Sequence, residues 1–161
     1  MRNALKIGEV SASHTYEVER WWIRRFVRAL GDPNPLWTDE AYAKKEGPFG
    51  ALVVPPTFYI LMDPVETKDL KLQDFFEDLP DKRRTMQANA FNKMEYFQPI
   101  VAGDVITVIT RYTEVIEKEG HVGHLVFPVR ENVYTNQRGE LVAKGRCSHV
   151  FGYDLAQSKE D

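Results

Sequence analysis

Gly31-Asp32-Pro33-Asn34-Pro35-Leu36-Trp37-Thr38-Asp39, with the apolar run Gly50-Ala51-Leu52-Val53-Val54-Pro55-Pro56-Thr57-Phe58 after it, is the stretch whose reading decides the fold. An amphipathic helical pattern runs into Gly31, and a second, wholly apolar pattern starts near Thr57. Between them lies the densest run of polar and Pro residues in the chain. Loops held between rigid elements are where sites tend to sit. The same residues also make an ordinary helix-ending turn, with Gly at the C′ position and Asp and Pro as breakers.

Outward from that stretch, Val18, Trp22, Phe26, Val27 and Leu30 recur at helical spacing and predict a helix over 15–30. Glu17 and Glu19 fall in its first turn and Arg28 in its last, each sign where the helix dipole favours it. Arg24, Arg25 and Arg28 occupy other faces, as a solvated helix side or as contacts to the phosphates of an anionic ligand. Residues 38–45 read as a short helix capped by Thr38 or Asp39. Pro56 and Thr57 open a helix, and Phe58-Tyr59-Ile60-Leu61-Met62 has no polar face, so burial on nearly all sides is expected. Asp63-Pro64 ends it, and 65–84 reads as a charged surface excursion with a helical turn around 72–79. Strand patterns follow at 86–97, 105–116, 123–135 and 141–153, with turns at Gly103-Asp104, Lys118-Glu119-Gly120 and Asn136-Gln137-Arg138-Gly139. In the last strand Leu141, Ala143, Gly145, Cys147, His149 and Phe151 alternate onto one face. Helices first and an antiparallel meander after them make an α+β layer fold.

The 161 residues fit one domain over 1–161, with a core at about 10–152 and a polar tail at 154–161. A formal net charge of −3 leaves no broad basic face for nucleic acid. No apolar stretch reaches membrane-span length, and the first residues lack a signal peptide's apolar core. The lone Cys147 excludes an intrachain disulfide and fits a reducing, cytoplasmic setting; in an alternating strand it reads as a buried inert thiol. His14, His121, His124 and His149 show no metal-ligand spacing with a carboxylate, so neither a metal nor a cofactor is called for. No phosphate-cradling Gly loop and no nucleophile motif is present.

Gly31-Asp32-Pro33-Asn34-Pro35-Leu36, with Thr38-Asp39, Phe49-Gly50 and Pro99-Ile100-Val101-Ala102-Gly103-Asp104, resembles the hydratase signature of MaoC-like hot-dog dehydratases over about residues 10–152. It is similar to the N-terminal, FAS1-like dehydratase domain type, as found in the non-catalytic subunit of heterodimeric (3R)-hydroxyacyl-thioester dehydratases. That resemblance implies an antiparallel sheet wrapped around a central apolar helix, and a dimer with a second copy or a related hot-dog subunit. It also implies a 3-hydroxyacyl or 2-enoyl thioester of CoA or acyl carrier protein as ligand. In active relatives the signature's Asp and His move a proton at C2 and add or remove water at C3, while a backbone N–H at the head of the central helix holds the thioester oxygen.

Carried over, Asp32 fills the Asp position and Asn34 the Asn position, but Trp37 stands where the His would be, and indole exchanges no proton at neutral pH. Pro55 and Pro56 stand where a His-Gly pair would supply the oxyanion donor; proline has no N–H, which leaves Thr57 as the nearest donor. The resemblance therefore implies a substrate-binding subunit that works with an Asp/His-bearing partner. Asp32 is the one catalytic candidate, and Asn34, Trp37, Val54, Pro55, Pro56, Thr57 and Phe58 are the binding candidates. For Trp37, Phe58 and Tyr59, plain core packing accounts for the sequence equally well. The alternatives are a homodimeric hydratase or thioesterase using Asp32, and an acyl-thioester-binding module without turnover.

Overall fold

The computed structural model describes residues 6–64, 84–121 and 123–153. Five strands form one antiparallel sheet: β1 (Val10–Glu17), β2 (Arg84–Tyr96), β3 (Val105–Gly120), β4 (Gly123–Thr135) and β5 (Leu141–Tyr153), in the order β1-β3-β4-β5-β2. Three helices, α1 (Arg20–Leu30), α2 (Pro35–Thr38) and α3 (Glu40–Lys45), precede a 3₁₀ helix at Pro56–Met62. The α+β class and the strand content of the second half follow the sequence.

Four details differ from expectation. The helix expected from Thr15 does not start there: residues 10–17 form strand β1, paired with β3 from Val10↔Arg111 to Glu17↔Val105. Helix α1 therefore begins at Arg20, and its first turn holds no acid; Glu19 is the capping residue. Ser11, Ser13 and Thr15 alternate with Ala12, His14 and Tyr16, a period of two that the longer apolar pattern beyond Val18 masked. The sheet is not a plain meander: β3-β4-β5 is one, but β2 closes the far edge against β5. Strand β3 runs on to Gly120, so Lys118-Glu119-Gly120 belongs to the ladder, with Gly120 opposite Gly123. Finally, the central helix is a 3₁₀ segment with Pro at its start, buried at Phe58 and Met62 but 63% exposed at Ile60. Tyr59 and Leu61 are half-buried against the core, so Ile60 alone of Phe58–Met62 turns outward. The predicted excursion at 65–84 lies, up to β2, outside the described residues.

The core forms between the sheet and the helices. Val18, Ile23 and Val27 from α1 and its approach meet Phe58 and Met62, which in turn pack on Ile106, Val108, Tyr134, Val142 and Ala143 of the sheet. Trp22 and Phe26 each set a ring edge against Phe58 at 5.3 Å between centroids. Such edge-to-face pairs add to the burial of large apolar surface. Helix α1 ends at Gly31, whose φ of 68° places it in the left-handed region, with Gly31 N–H on Arg28 O and Asp32 N–H on Val27 O.

The run 50–54 lies beside 99–104. Val54 N–H donates to Ile100 O at 3.0 Å and Ala102 N–H to Leu52 O at 2.8 Å. Buried Asp104 holds the turn by accepting from Val101 N–H at 2.9 Å and from Gln137 Nε2 at 3.1 Å. These contacts fix the apolar run from which the 3₁₀ helix departs.

Candidate functional site

The loop after α1 is braced by its own side chains. Asp32 Oδ1 accepts from Asn34 N–H at 3.0 Å, and Asn34 Oδ1 accepts from Leu36 N–H at 3.0 Å, capping α2. Thr38 Oγ1 donates back to Asn34 O at 2.9 Å. Asp39 then caps α3 by accepting from Tyr42 N–H at 3.0 Å. Asx turns and N-caps use short polar side chains in this way, as local substitutes for backbone partners. One outside bond ties the loop to the apolar run, from Val53 N–H to Leu36 O at 3.3 Å.

The loop separates two concavities. On one side Trp37, Leu36, Val54, Pro55 and Pro56 join Tyr59, Tyr96, Phe97, Ile100, Tyr134 and Ala143 around an apolar cavity of about 460 Å³. On the other, Asp32 shares a cleft of about 410 Å³ with Arg24, Arg28, Pro33 and Thr38. Half-buried Asp32 and Trp37 thus sit in adjoining but different hollows. Thr57 is exposed and Phe58 fully buried, and neither lines the cavity. Thr57 N–H stands in the first turn of the 3₁₀ helix, where amides lack an intrahelical acceptor. Trp37 Nε1 is buried without a hydrogen-bond acceptor among the described residues.

Sequence reading did not single out the cavity's far wall. Tyr96 and Phe97 leave β2 with half-exposed rings, and Tyr96 OH donates to Pro56 O. Tyr134 and Ala143 are cross-strand neighbours on β4 and β5. Burial pushes the Tyr134 hydroxyl well above the usual phenol range, so it stays a neutral hydrogen-bonding group. The signal was present in the alternation of β4, whose residues 126, 130, 132 and 134 are all buried.

That same face carries a buried polar group. Arg130, 3% exposed, pairs with Asp63 at the end of the 3₁₀ helix and donates from Nε to Cys147 Sγ at 3.2 Å. Next to it Thr110 Oγ1 donates to Asn132 Oδ1 at 2.7 Å. Burial pushes the Cys147 thiol up, a rise that the guanidinium only partly offsets, so the thiol stays protonated and unreactive. His124 is held by Glu119 at 2.8 Å and Glu117 at 3.1 Å, away from both hollows. Among the described residues no group of three His, Cys, Asp or Glu side chains is placed to hold a metal ion, and no helix is long and apolar enough to cross a membrane.

Comparison with known proteins decides the family. The model of the FAS1-like, dehydratase domain region matches residues 6–145. The chain belongs to this family. FAS1-like dehydratase domains are MaoC-like hot-dog proteins, and the sheet and its inner helix agree with solved structures of that fold. The chain superposes on the MaoC-like dehydratase from Rhodospirillum rubrum with a TM-score of 0.65 at 21% identity, covering 96% of this chain and 98% of that one. On the ChsH1-ChsH2 complex from Mycobacterium tuberculosis the TM-score is 0.67 at 18% identity, with 91% and 90% covered. On the HadBC (3R-hydroxyacyl-ACP dehydratase) complex from the same organism it is 0.60 at 25% identity, with 84% and 90% covered. Among curated relatives, a UPF0336 protein of Parafrankia sp. is 35% identical over 141 residues, 84% of this chain and 83% of its own. A UPF0336 protein of Thermobifida fusca is 36% identical over 106 residues, an alignment that spans 66% of each chain. This FAS1-like dehydratase chain therefore has the fold expected from its loop signature, with Asp32 and Trp37 lining separate hollows.

Proposed function

We propose that this FAS1-like dehydratase domain is the substrate-holding component of a hydratase/dehydratase for 3-hydroxyacyl and 2-enoyl thioesters, and that a related subunit bearing the Asp/His pair moves the protons. The observation that carries this reading is the placement of Trp37 with Pro55 and Pro56 in the wall of the apolar cavity, while Asp32 is tied to Asn34 N–H on the other side of the loop. Adding water across an enoyl thioester needs an acid and a base within reach of adjacent carbons and a donor for the enolate oxygen. Here the cavity offers an indole, two prolines and phenol hydroxyls but no group that exchanges a proton near neutral pH. Its size and apolar lining suit an acyl chain. The HadBC and ChsH1-ChsH2 structures are complexes of two different chains, which supports pairing with a related hot-dog subunit.

The test is hydration of crotonyl-CoA, followed by loss of the enoyl-thioester absorbance, with the chain alone and then with a candidate Asp/His-bearing subunit. No turnover alone and turnover with the partner is the expected result. Turnover by the chain alone, lost in Asp32→Ala, would establish the homodimeric reading instead.

A further inference from the structure

Helix α1 carries Arg20, Arg24, Arg25 and Arg28, all exposed, on a chain of net charge −3. Arg20, Arg24 and Arg28 are spaced at one helical turn and so share a face. Arg20 is occupied by Glu40 at 3.0 Å. Among the described residues Arg24, Arg25 and Arg28 have no carboxylate at ion-pair distance. Arg24 is common to two hollows: the 410 Å³ cleft that also holds Arg28 and Asp32, and a larger one of about 620 Å³ that also holds Trp21 and Arg25. Trp21 is 51% exposed, its indole N–H is fixed by the Glu19 carboxylate, and the Arg25 guanidinium lies 5.7 Å from its ring centroid.

Guanidinium groups bind phosphate by paired, charge-assisted hydrogen bonds, and an oriented aromatic ring with an arginine beside it stacks a nucleobase. Both chemistries converge in one open hollow. Glu17 and Glu19 also border it, Glu19 keeping its charge while it accepts from the Trp21 N–H, so anion binding there falls to the arginines that have no carboxylate partner. The hollows along α1 lead to the Gly31–Thr38 loop, whose other side walls the apolar cavity. The series carries exposed guanidinium groups at one end and an apolar lining at the other.

We infer that the α1 cleft receives the 3′-phosphorylated ADP end of a coenzyme A thioester, with Trp21 stacking the adenine and Arg24 and Arg25 holding the phosphates. This rests on the thioester reading above and makes the free coenzyme, not an acidic carrier protein, the source of the phosphates. The probe is 3′-phosphoadenosine 5′-diphosphate, titrated by calorimetry into the full chain, into Arg24→Gln/Arg25→Gln and into Trp21→Ala. Crotonyl-pantetheine, which lacks the nucleotide, is titrated in parallel. Saturable nucleotide binding that weakens about tenfold or more in each variant is expected, through lost charge-assisted hydrogen bonds in the arginine variant and lost base stacking in Trp21→Ala. All three side chains are exposed, and unchanged far-UV dichroism checks the variants' folding. No saturable binding of the nucleotide, or binding equal in all three proteins, overturns the inference. So does a phosphopantetheinylated acidic carrier protein that binds in an arginine-dependent way while the nucleotide does not. Nucleotide binding without any binding of crotonyl-pantetheine would instead sink the acyl-cavity reading and leave the α1 site standing.

Discussion

Asp32 and Trp37 stand on one loop yet line different hollows. Asp32 Oδ1 has a backbone amide to accept from, and Asn34 caps α2, so each has a structural role that does not need a substrate. Asn34→Ala removes the cap and should lower unfolding free energy by about 1 kcal/mol, read as a shift in the urea midpoint at constant slope. Asp32→Ala should cost a similar amount, about 1 kcal/mol, because one part-buried hydrogen bond is lost. Both variants are expected to bind crotonyl-pantetheine as the parent does, since neither residue lines the apolar cavity. Trp37→Ala, by contrast, enlarges that cavity and removes a ring packed on the core. It should weaken binding of that thioester at least tenfold, and unchanged affinity would remove Trp37 from the acyl site.

At the scale of elements, the strands of the second half were legible because β-branched residues alternate with polar ones; β4 and β5 begin and end where the pattern says. The 3₁₀ helix was not, because an all-apolar run reads as fully buried whatever its pitch. Strand β1 was hidden because the longer apolar helical pattern beyond Val18 masked its period of two. The split of the signature into two hollows was illegible for a different reason: residue spacing fixes neighbours along the loop, but the side toward which each one faces is set by α2, a single turn. Nor does spacing reveal that Asp63 and Arg130 meet. That pair anchors the end of the 3₁₀ helix to β4, with Arg130 almost fully enclosed. Asp63→Asn leaves a cation without its partner and should cost about 3 kcal/mol, whereas the Asp63→Asn/Arg130→Met double variant should cost clearly less than the two single changes added together. Thermal unfolding of the parent, the two single variants and the double variant gives the comparison.

At the scale of the whole molecule, stability should depend on pH through His149. Burial, helped by the Arg130 charge, lowers its pKa below the ordinary 6.5. The unfolded chain therefore binds a proton at a pH where the native state does not. The stabilising contribution is fully present above about 6.5 and is lost as pH falls toward the lower native value. His149→Gln should flatten the fall in denaturation midpoint between about pH 7 and pH 5; an identical fall would assign it to other groups.

The hydroxyl of Tyr96 gives the molecule one more property. Tyr96 is the last residue of β2, the outermost strand on its side of the sheet, and it reaches across to Pro56 O at the head of the 3₁₀ helix while its ring walls the apolar cavity. Any shift of β2 therefore moves one wall of the cavity and, through this phenol, pulls on the head of the 3₁₀ helix, so the width of the opening follows the position of the sheet's outer strand.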